Sequence, residues 1–520
     1  MTKSDVVLVD ICGAYRYPSL AVGCLKAWAR KDPALAALRI SEVTSEIREP
    51  RPVLVDAVCA QEPALVGFTC YIWNFNQVME AVGLLKSRRP NVRVVIGGPQ
   101  VASVAEDVLR RWGSVDFVAT GEGEETFRQL LGCLFLDARA LKEVEGLAYR
   151  DGDNIVSTHE AALIALGELP SPYLSGALDV DSYDYREASI DSSRGCPFTC
   201  KFCDWGPRTM RYAPLERLEA EFRLLAPRIK VLCLTDADPF MNKKWGIAVM
   251  EAFLRAAAGT ECRLGFDANP TFMSPEIVDV VARAPERFFI AFGLQSTDED
   301  VLRGINRVFD RERVEANIAD LQRRAPGVWM KFSAIFGMPG DDLQGWRRTL
   351  DWALSRHPGT IVCNHALVLP GAEFRREAGN LGLRYQADPP HQVLSTNTMA
   401  APDLMAARRL AFCVEFALSL PFVKERLLEA ADRLRDEDLP YVRVFESWSS
   451  HLRKKGVDLT FGRPIDAIDG LMVRQRIQEA YVDLVKDGVL MASIEILTRE
   501  FAEAITADDL ECAAAAAPRS

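Results

Sequence analysis

Three cysteines, Cys196, Cys200 and Cys203, lie within eight residues of one another in the segment Ser193-Arg194-Gly195-Cys196-Pro197-Phe198-Thr199-Cys200-Lys201-Phe202-Cys203-Asp204-Trp205-Gly206. The spacing is C-x3-C-x2-C. Three thiolates at this spacing can hold three irons of a [4Fe–4S] cubane and leave the fourth iron without a protein ligand. The competing chemistry is structural zinc, which needs four ligands and commonly uses paired C-x2-C spacings. No fourth Cys or His lies close by in sequence. The chain has 13 cysteines. Most of the others, Cys24, Cys59, Cys233, Cys262 and Cys413 among them, sit in apolar contexts and read as small buried hydrophobes. A disulfide framework is not expected in a cytoplasmic chain.

The triplet must be held by something rigid. From about 186 to 385 apolar runs alternate with amphipathic helical patterns. The strand candidates are ASIDSSRG, VLCLTDAD (231–238), RLGFDANP (263–270), FFIAFGLQS (288–296), MKFSAIFGMPG (330–340) and TIVCNHALVLPG (360–371). Six such units fit a partial (β/α)6 barrel, whose chemistry belongs at the carboxyl ends of the strands. The cysteines follow the first of these strands. Asp236 and Asp238 end the second, Asp267 and Asn269 the third, Gln295 and Ser296 the fourth, and Ser333 lies on the fifth. Each of these is read equally well as a ligand contact or as a loop polar group or helix cap.

An earlier series occupies residues 5 to about 135. VVLVD (6–10), ALVGFTCY (64–71), VRVVIGG (92–98) and VDFVATGEGEETF (115–127) read as strands with helices between them. This alternation implies a parallel, doubly wound sheet. Its ligand crevice lies at the carboxyl ends of the strands. Tyr71 to Asn74, Gly97 to Gln100 and Thr120 to Gly123 all fall on that edge. No G-x-G-x-x-G follows the first strand, so the dinucleotide fingerprint is missing. Residues 141–185 read as a linker with a DGDN turn. Residues 391–508 turn helical, with Leu404, Ala407, Leu410, Ala411, Val414 and Leu418 at helical spacing, and read as a cap packed on the barrel. The tail 509–520 is low in complexity and expected to be disordered. At 520 residues the chain is long enough for two to four domains.

Hydrophobic residues make up 49% and charged residues 26%, the balance of a soluble globular protein. A net charge of −11 argues against general affinity for nucleic acid, which needs a basic footprint. No apolar run reaches the length of a membrane span. The start, MTKSDVVLVD, lacks a signal-peptide pattern, and the expected location is cytoplasmic.

The cysteine spacing, with an aromatic residue before the last cysteine, resembles the signature of the radical S-adenosylmethionine (SAM) superfamily. The resemblance covers roughly 186–385. It implies a [4Fe–4S] cluster on Cys196, Cys200 and Cys203, with the amino and carboxylate groups of SAM on the open iron. It also implies Phe202 at the adenine, and SAM contacts among Asp236, Asp238, Asp267, Asn269, Gln295 and Ser333. GFTCYIWN (67–74), IGGPQ (96–100), ATGEGEETF (119–127), EGLAYRDG (145–152), GLQSTDEDVLRGINR (293–307) and LVLPGAEF (367–374) are similar to cobalamin-dependent members of that superfamily, extending the resemblance over roughly 1–400. The implied fold is α/β: an amino-terminal Rossmann-like cobalamin-binding domain (1–140), a partial barrel (186–390) and a carboxy-terminal helical region. The implied cobalamin contacts are Thr69, Tyr71, Trp73, Asn74, Gly97, Gly98, Pro99, Gln100, Gly121, Glu122 and Gly123.

Cobalamin mutases coordinate cobalt through the His of D-x-H-x-x-G. Here the five histidines stand at 159, 357, 365, 391 and 451, and none lies in the first 158 residues. The expectation is base-off cobalamin with no protein His ligand, and Trp73 over its lower axial side. For Tyr71 and Trp73 the alternative is ordinary packing at a strand end.

The resemblance implies a C-methyltransferase. One SAM would donate its methyl group to cobalt. A second would be cleaved reductively to a 5′-deoxyadenosyl radical that removes hydrogen from a small-molecule or peptide-derived substrate. Substrate-lining candidates are Asp204, Trp205, Arg208 and Asn364. An external electron donor such as flavodoxin or ferredoxin is expected. Three competitors stay open: ring contraction or cyclisation without methyl transfer, methylation of a nucleophilic sp² carbon without a radical, and a non-catalytic cobalamin and iron–sulfur sensor. A methylthiotransferase needs an amino-terminal cysteine triplet, and Cys12, Cys24, Cys59 and Cys70 are too dispersed to form one.

Overall fold

The computed structural model describes residues 4–454 apart from 14–16, 183–186, 420–423, 426, 430 and 433–439. The expectations for 455–520, including the tail, lie outside the described residues.

The first sheet begins with β1 (Val6–Cys12), seven residues buried along their whole length. Such a run suits a central parallel strand covered on both faces. β2 (Ile40–Glu46), β3 (Leu65–Thr69), β4 (Arg93–Gly97) and β5 (Phe117–Ala119) complete the parallel part, in the order β2-β1-β3-β4-β5. β2 is an edge strand with a mostly half-buried pattern, and the sequence reading passes over it. The strand order reverses between β1 and β3, so the crevice opens beside their carboxyl ends. Helices α1 (Leu20–Lys31), α2 (Arg51–Cys59), α3 (Phe75–Arg88), α4 (Pro99–Ala102), α5 (Ala105–Arg111) and α6 (Gly123–Leu136) cover the two faces. The DGDN turn joins β6 (Leu147–Asp151) to β7 (Asn154–Ser157). This hairpin lies in the stretch expected to be linker, yet it extends the first sheet antiparallel to β5. Its apolar residues Leu147, Ala148 and Tyr149 are buried, which is what draws it onto the sheet edge.

The second sheet holds six parallel strands in consecutive order: β8 (Glu187–Ile190), β11 (Val231–Leu234), β12 (Arg263–Ala268), β13 (Phe288–Gln295), β14 (Trp329–Phe336) and β15 (Thr360–His365). A short pair, β9 (Ser193–Arg194) and β10 (Arg211–Tyr212), stands after β8. Helices α7 (Leu215–Leu225), α8 (Lys243–Ala256), α9 (Pro275–Ala282), α10 (Glu299–Gly304), α11 (Arg311–Arg324) and α12 (Leu343–Leu354) return the chain between strands. Each of several starts on a polar cap: Asn242 accepts from the Trp245 N–H, Asp310 from Arg313 and Asp342 from Gly345. The six expected strands are all present and all in one sheet.

The core lies between strands and helices. Phe222, Phe253, Phe288, Phe292, Phe332 and Trp346 are fully buried there. Each contributes about 1.5–3 kcal/mol by leaving water. The faces turned inward are polar: Cys233 donates to Glu187 at 3.3 Å, and Lys331 lies over the Phe289 ring. α13 (Glu373–Arg376) follows β15. α14 (Ala401–Ser419) packs on β15, burying Leu404, Ala407, Leu410, Ala411, Val414 and Leu418 as the helical spacing predicts. α15 (Tyr441–Lys454) packs on α14 and α12. Among the described residues no helix is long and apolar enough to cross a membrane.

Candidate active site

The cysteines sit on a loop closed at its base by β9 and β10. Arg194 pairs with Arg211 and Ser193 with Tyr212. Gly195 makes the turn into the loop at φ +102°, where a Cβ would stand 2.3 Å from the Thr209 carbonyl oxygen. Any side chain there would push the two ends of the loop apart. The Cys196 N–H donates to Pro207 O at 3.0 Å, and the Cys203 N–H to Cys200 O at 3.0 Å. The loop is strapped to the barrel from the other side: the Lys201 N–H donates to Ile305 O at 3.0 Å, and Lys201 Nζ reaches Glu377 at 3.1 Å.

Cys196 and Cys200 are half-buried and Cys203 is exposed. Although Cys203 is the most open of the three, the protein packed around it, then the neighbouring thiols Cys200 and Cys196 with Asp204, pushes its thiol up to about 11. Burial also pushes Cys196 up. A thiol raised in this way becomes a thiolate when a cation holds it. Among the described residues no three His, Cys, Asp or Glu side chains converge on a point where one metal ion would bind.

Phe202 is wedged in a small apolar cluster with Phe374, ring centroids 6.4 Å apart. Asp204 accepts from the Gly371 N–H. A Cβ at position 371 would lie 2.2 Å from its carboxylate oxygens, so the glycine of Leu369-Pro370-Gly371 is what admits this contact. Trp205 is 50% exposed and Arg208 is also exposed. Asn364 is half-buried on β15, paired in register with Ile335.

The carboxylates after β11 are engaged within the protein. Asp236 accepts from the Ser192 N–H (3.0 Å), the Ser192 hydroxyl (2.7 Å) and the Ser193 hydroxyl. Burial raises its pKa to about 6, and those bonds hold it from rising further. Asp238 accepts from the Asn269 N–H and the Phe240 N–H, both at 2.7 Å. Burial raises it to about 7. Asp236 thereby ties β11 to the strand end that carries the cysteines. Asn269 donates to Val308 O at 2.9 Å; on β12 burial raises the Asp267 carboxyl against the nearby Lys331 charge, and Ser333 is half-buried on β14. Gln295 adopts φ +67° at a register shift in β13, and Ser296 bonds Thr349 and the Asp298 N–H.

The sequence reading missed Arg307. Its guanidinium donates to the Gly293 carbonyl, and its charge favours the ionised forms of Cys196 and Asp238. The signal was the Arg ending GLQSTDEDVLRGINR, five residues beyond the last apolar position of α10.

At the first sheet, a cavity of about 240 Å³ opens between the strands and helices α1 and α6. Leu8, Val22, Gly67, Val95, Gly97 and Phe127 give it apolar walls, and Gly121 to Glu124 form one edge. Gly98 stands at φ +126°, where a Cβ would lie 2.4 Å from the Cys70 carbonyl oxygen. Pro99 then opens α4. A glycine-floored, largely apolar slot at a strand switch suits a flat apolar group of a ligand.

The polar side chains expected to meet a cofactor here also bond within the scaffold, and Thr69 lines the cavity as well. Asn74 donates to Ile11 O (3.2 Å) and Thr69 O (3.1 Å) and accepts from the Tyr71 N–H (2.8 Å). Thr69 donates to the buried Asp10 carboxylate, which also accepts from the Cys12 thiol at 3.2 Å. Gln100 meets His391 at 3.0 Å. Burial lowers the His391 pKa, which leaves its ring neutral and able to accept from the Gln100 amide. These bonds satisfy groups that would otherwise be buried without partners, and they fix the loop shapes. Tyr71 and Trp73 remain half-buried beside the crevice, stacked on each other.

The two sheets meet at charged residues. Arg194 reaches Glu124 at 2.8 Å, Asp191 at 2.7 Å and Glu122 at 3.4 Å. Arg211 also holds Glu122, and donates to Ile164 O at 2.7 Å. Burial alone would disfavour the charged form of Arg194, but Glu124, Asp191 and Glu122 keep it ionised.

Residues 190–353 match the Radical SAM superfamily and residues 14–131 the B12 binding domain. The chain is 31% identical over 358 residues to the cobalamin-dependent radical SAM methyltransferase TokK of Streptomyces tokunonensis, covering 65% of this chain and 52% of TokK. It is 33% identical over 350 residues to the 2-(S-pantetheinyl)-carbapenam-3-carboxylate methyltransferase of Streptantibioticus cattleyicolor, covering 63% of this chain and 50% of that one. The chain thus spans about half the length of these curated relatives. Among solved structures, the cobalamin-dependent SAM radical enzyme OxsB, with aqua-cobalamin and SAM bound, aligns over 96% of this chain and 81% of its own, with a TM-score of 0.65 and 14% identity, a likeness of fold. With a B12-binding sheet ahead of a cysteine-bearing barrel, the chain belongs to the cobalamin-dependent branch of the radical SAM superfamily.

Proposed function

We propose that this protein is a C-methyltransferase that moves a methyl group from SAM, by way of cobalamin, to a carbon of a small-molecule or peptide-derived natural-product intermediate. The observation that carries the reading is the meeting of the two sites: the edge of the apolar cavity and the base of the cysteine loop share the Glu122–Arg194–Arg211 contact. When bound, the cluster and SAM supply radical chemistry, and cobalamin supplies a transferable methyl group.

The protein's own residues align and exclude. Cys196, Cys200 and Cys203 would hold three irons. Phe202, Gln295, Ser333 and Asn269 would contact the adenosine of SAM, and Arg307 would meet its carboxylate. Asp238 would receive its amine. Asp267 on β12, two residues before Asn269, would join these SAM contacts. The apolar cavity would take the nucleotide tail, keeping cobalamin base-off. No histidine precedes residue 159 to replace that tail as a ligand. Trp73, stacked on Tyr71, would pack against the corrin as part of the cobalamin site. Trp205, Arg208, Asp204 and Asn364 would line the substrate space between barrel mouth and corrin. We place the enzyme in the cytoplasm, with flavodoxin or ferredoxin as electron donor.

The reading is tested by anaerobic reconstitution with iron, sulfide and hydroxocobalamin, followed by turnover with methyl-labelled SAM. Label in the product together with 5′-deoxyadenosine is the expected outcome. Cyclised or contracted product without label would replace methyl transfer, and absence of SAM cleavage after reduction would leave a sensor. Cys203→Ala should lose both cluster and cleavage.

A further inference from the structure

We infer that Glu122 is a positioning residue that couples occupancy of the apolar cavity to the integrity of the cluster loop. The inference rests on the proposed binding of cobalamin in that cavity.

The loop 195–210 carries all three cysteines, and its base is a ladder of only two residue pairs. A ladder that short is marginal by itself. Side chains must therefore hold its ends. Arg194 and Arg211 are cross-strand partners, one at each end of the loop, and both reach the same carboxylate on the opposite sheet. Glu122 is thus gripped in a fork whose two arms are the two ends of the cysteine loop. Each arm is anchored further, Arg194 on Glu124 and Asp191, Arg211 on the Ile164 carbonyl. The side chains are 11% to 19% exposed, so the pairs are shielded from salt and water. Removing one partner of such a pair leaves the other buried without compensation.

On its own side, Glu122 stands between Gly121, at φ +68°, and Gly123, and all three line the cavity. Glycines on both flanks give this turn little intrinsic stiffness. Its position is set by the two arginines together with whatever packs on the turn. An occupant of the cavity packs against the turn, the turn orients Glu122, and Glu122 draws Arg194 and Arg211 together. Linkage makes the effect reciprocal: whatever factor the filled cavity adds to retention of the cluster, the assembled cluster adds to affinity for the occupant.

The test uses the full chain with its cluster reconstituted, and reads the rate of iron loss to a chelator with and without hydroxocobalamin. In the wild type, hydroxocobalamin should slow iron loss by about fivefold or more. Cobinamide, which lacks the nucleotide tail and leaves the cavity empty, should not. In Glu122→Gln and, from the barrel side, Arg211→Met, the protection should fall below about twofold while hydroxocobalamin still binds. Arg211→Lys, which keeps one charge and one donor, should restore part of it. Full protection in both Glu122→Gln and Arg211→Met would overturn the inference, as would equal protection by cobinamide. Should Glu122→Gln fail to fold, the two Arg211 variants decide alone. Wild-type protein that binds hydroxocobalamin without protection refutes the coupling and leaves the cobalamin reading intact. Wild-type protein that does not bind it refutes both.

Discussion

The rings of Tyr71 and Trp73 lie face to face, 4.3 Å between centroids and 5° between planes, on the turn that follows the third strand of the first sheet. The turn is fixed from beneath by Asn74, so the pair is presented at the switch-point crevice rather than folded into the core. Trp73→Ala removes the stack, which is worth about 0.5–1.5 kcal/mol beyond the area it buries. It should also admit water to the lower face of bound cob(II)alamin. The expected outcome is a small fall in melting temperature with a changed electron paramagnetic resonance spectrum. An unchanged spectrum would remove Trp73 from the axial side.

Gly97 lines the apolar cavity, and a Cβ there would meet Ala119 at an ordinary 3.4 Å, with no positive φ to strain it. Gly97→Val should therefore fold and fill the slot. Affinity for hydroxocobalamin should fall by at least about tenfold, the loss expected when one well-packed apolar group is displaced. Affinity for cobinamide should hardly change. Equal losses for the two ligands would mean that the tail does not enter the cavity.

What was readable beforehand followed from periodicity and spacing. The six strands of the barrel and the C-x3-C-x2-C loop announce themselves because buried parallel strands are continuous apolar runs and because metal ligands keep short spacings. β2 escaped because an edge strand with half-buried alternation carries a weak signal. The hairpin 147–157 was read as linker because its attachment to β5 is long-range, and no local pattern encodes it. The same limit explains Glu122. Its neighbours suggested a loop facing a ligand, yet its partners Arg194 and Arg211 are remote in sequence. Thr69, Asn74 and Gln100 read as ligand contacts because polar residues at strand ends serve that purpose, and only the fold reveals that Asp10, Ile11 and His391 are also their partners.

Asp236 offers a pH test. Its folded pKa of about 6 lies above the ordinary carboxylate value of 3.8, chiefly through burial. The native protein then holds a proton that the unfolded chain gives up. The contribution to stability is fully present below the unfolded pKa and is lost as pH rises through about 6. Asp236→Asn keeps the acceptor for the Ser192 N–H and offers donors to the two serine hydroxyls, so it should fold. Relative to wild type, the variant should gain stability between about pH 4 and pH 7, by at most about 3 kcal/mol. Parallel melting-temperature profiles for the two proteins across that range would show that Asp236 does not titrate there.

The charge of Arg307 favours the ionised forms of Cys196 and Asp238, and its bond to the Gly293 carbonyl holds the guanidinium at the strand ends. A carboxylate arriving with SAM would find there a charge already positioned. A charge-assisted hydrogen bond is worth about 1.5–3 kcal/mol. Arg307→Met should therefore weaken SAM binding by roughly 10- to 100-fold, measured by equilibrium dialysis on the reconstituted protein. Arg307→Lys, which keeps the charge but not the planar fork, should fall between the two. Cluster content should stay near wild type in both variants, since no iron ligand is touched. If SAM affinity is unchanged while iron content drops, Arg307 serves the cysteine loop and not the cofactor.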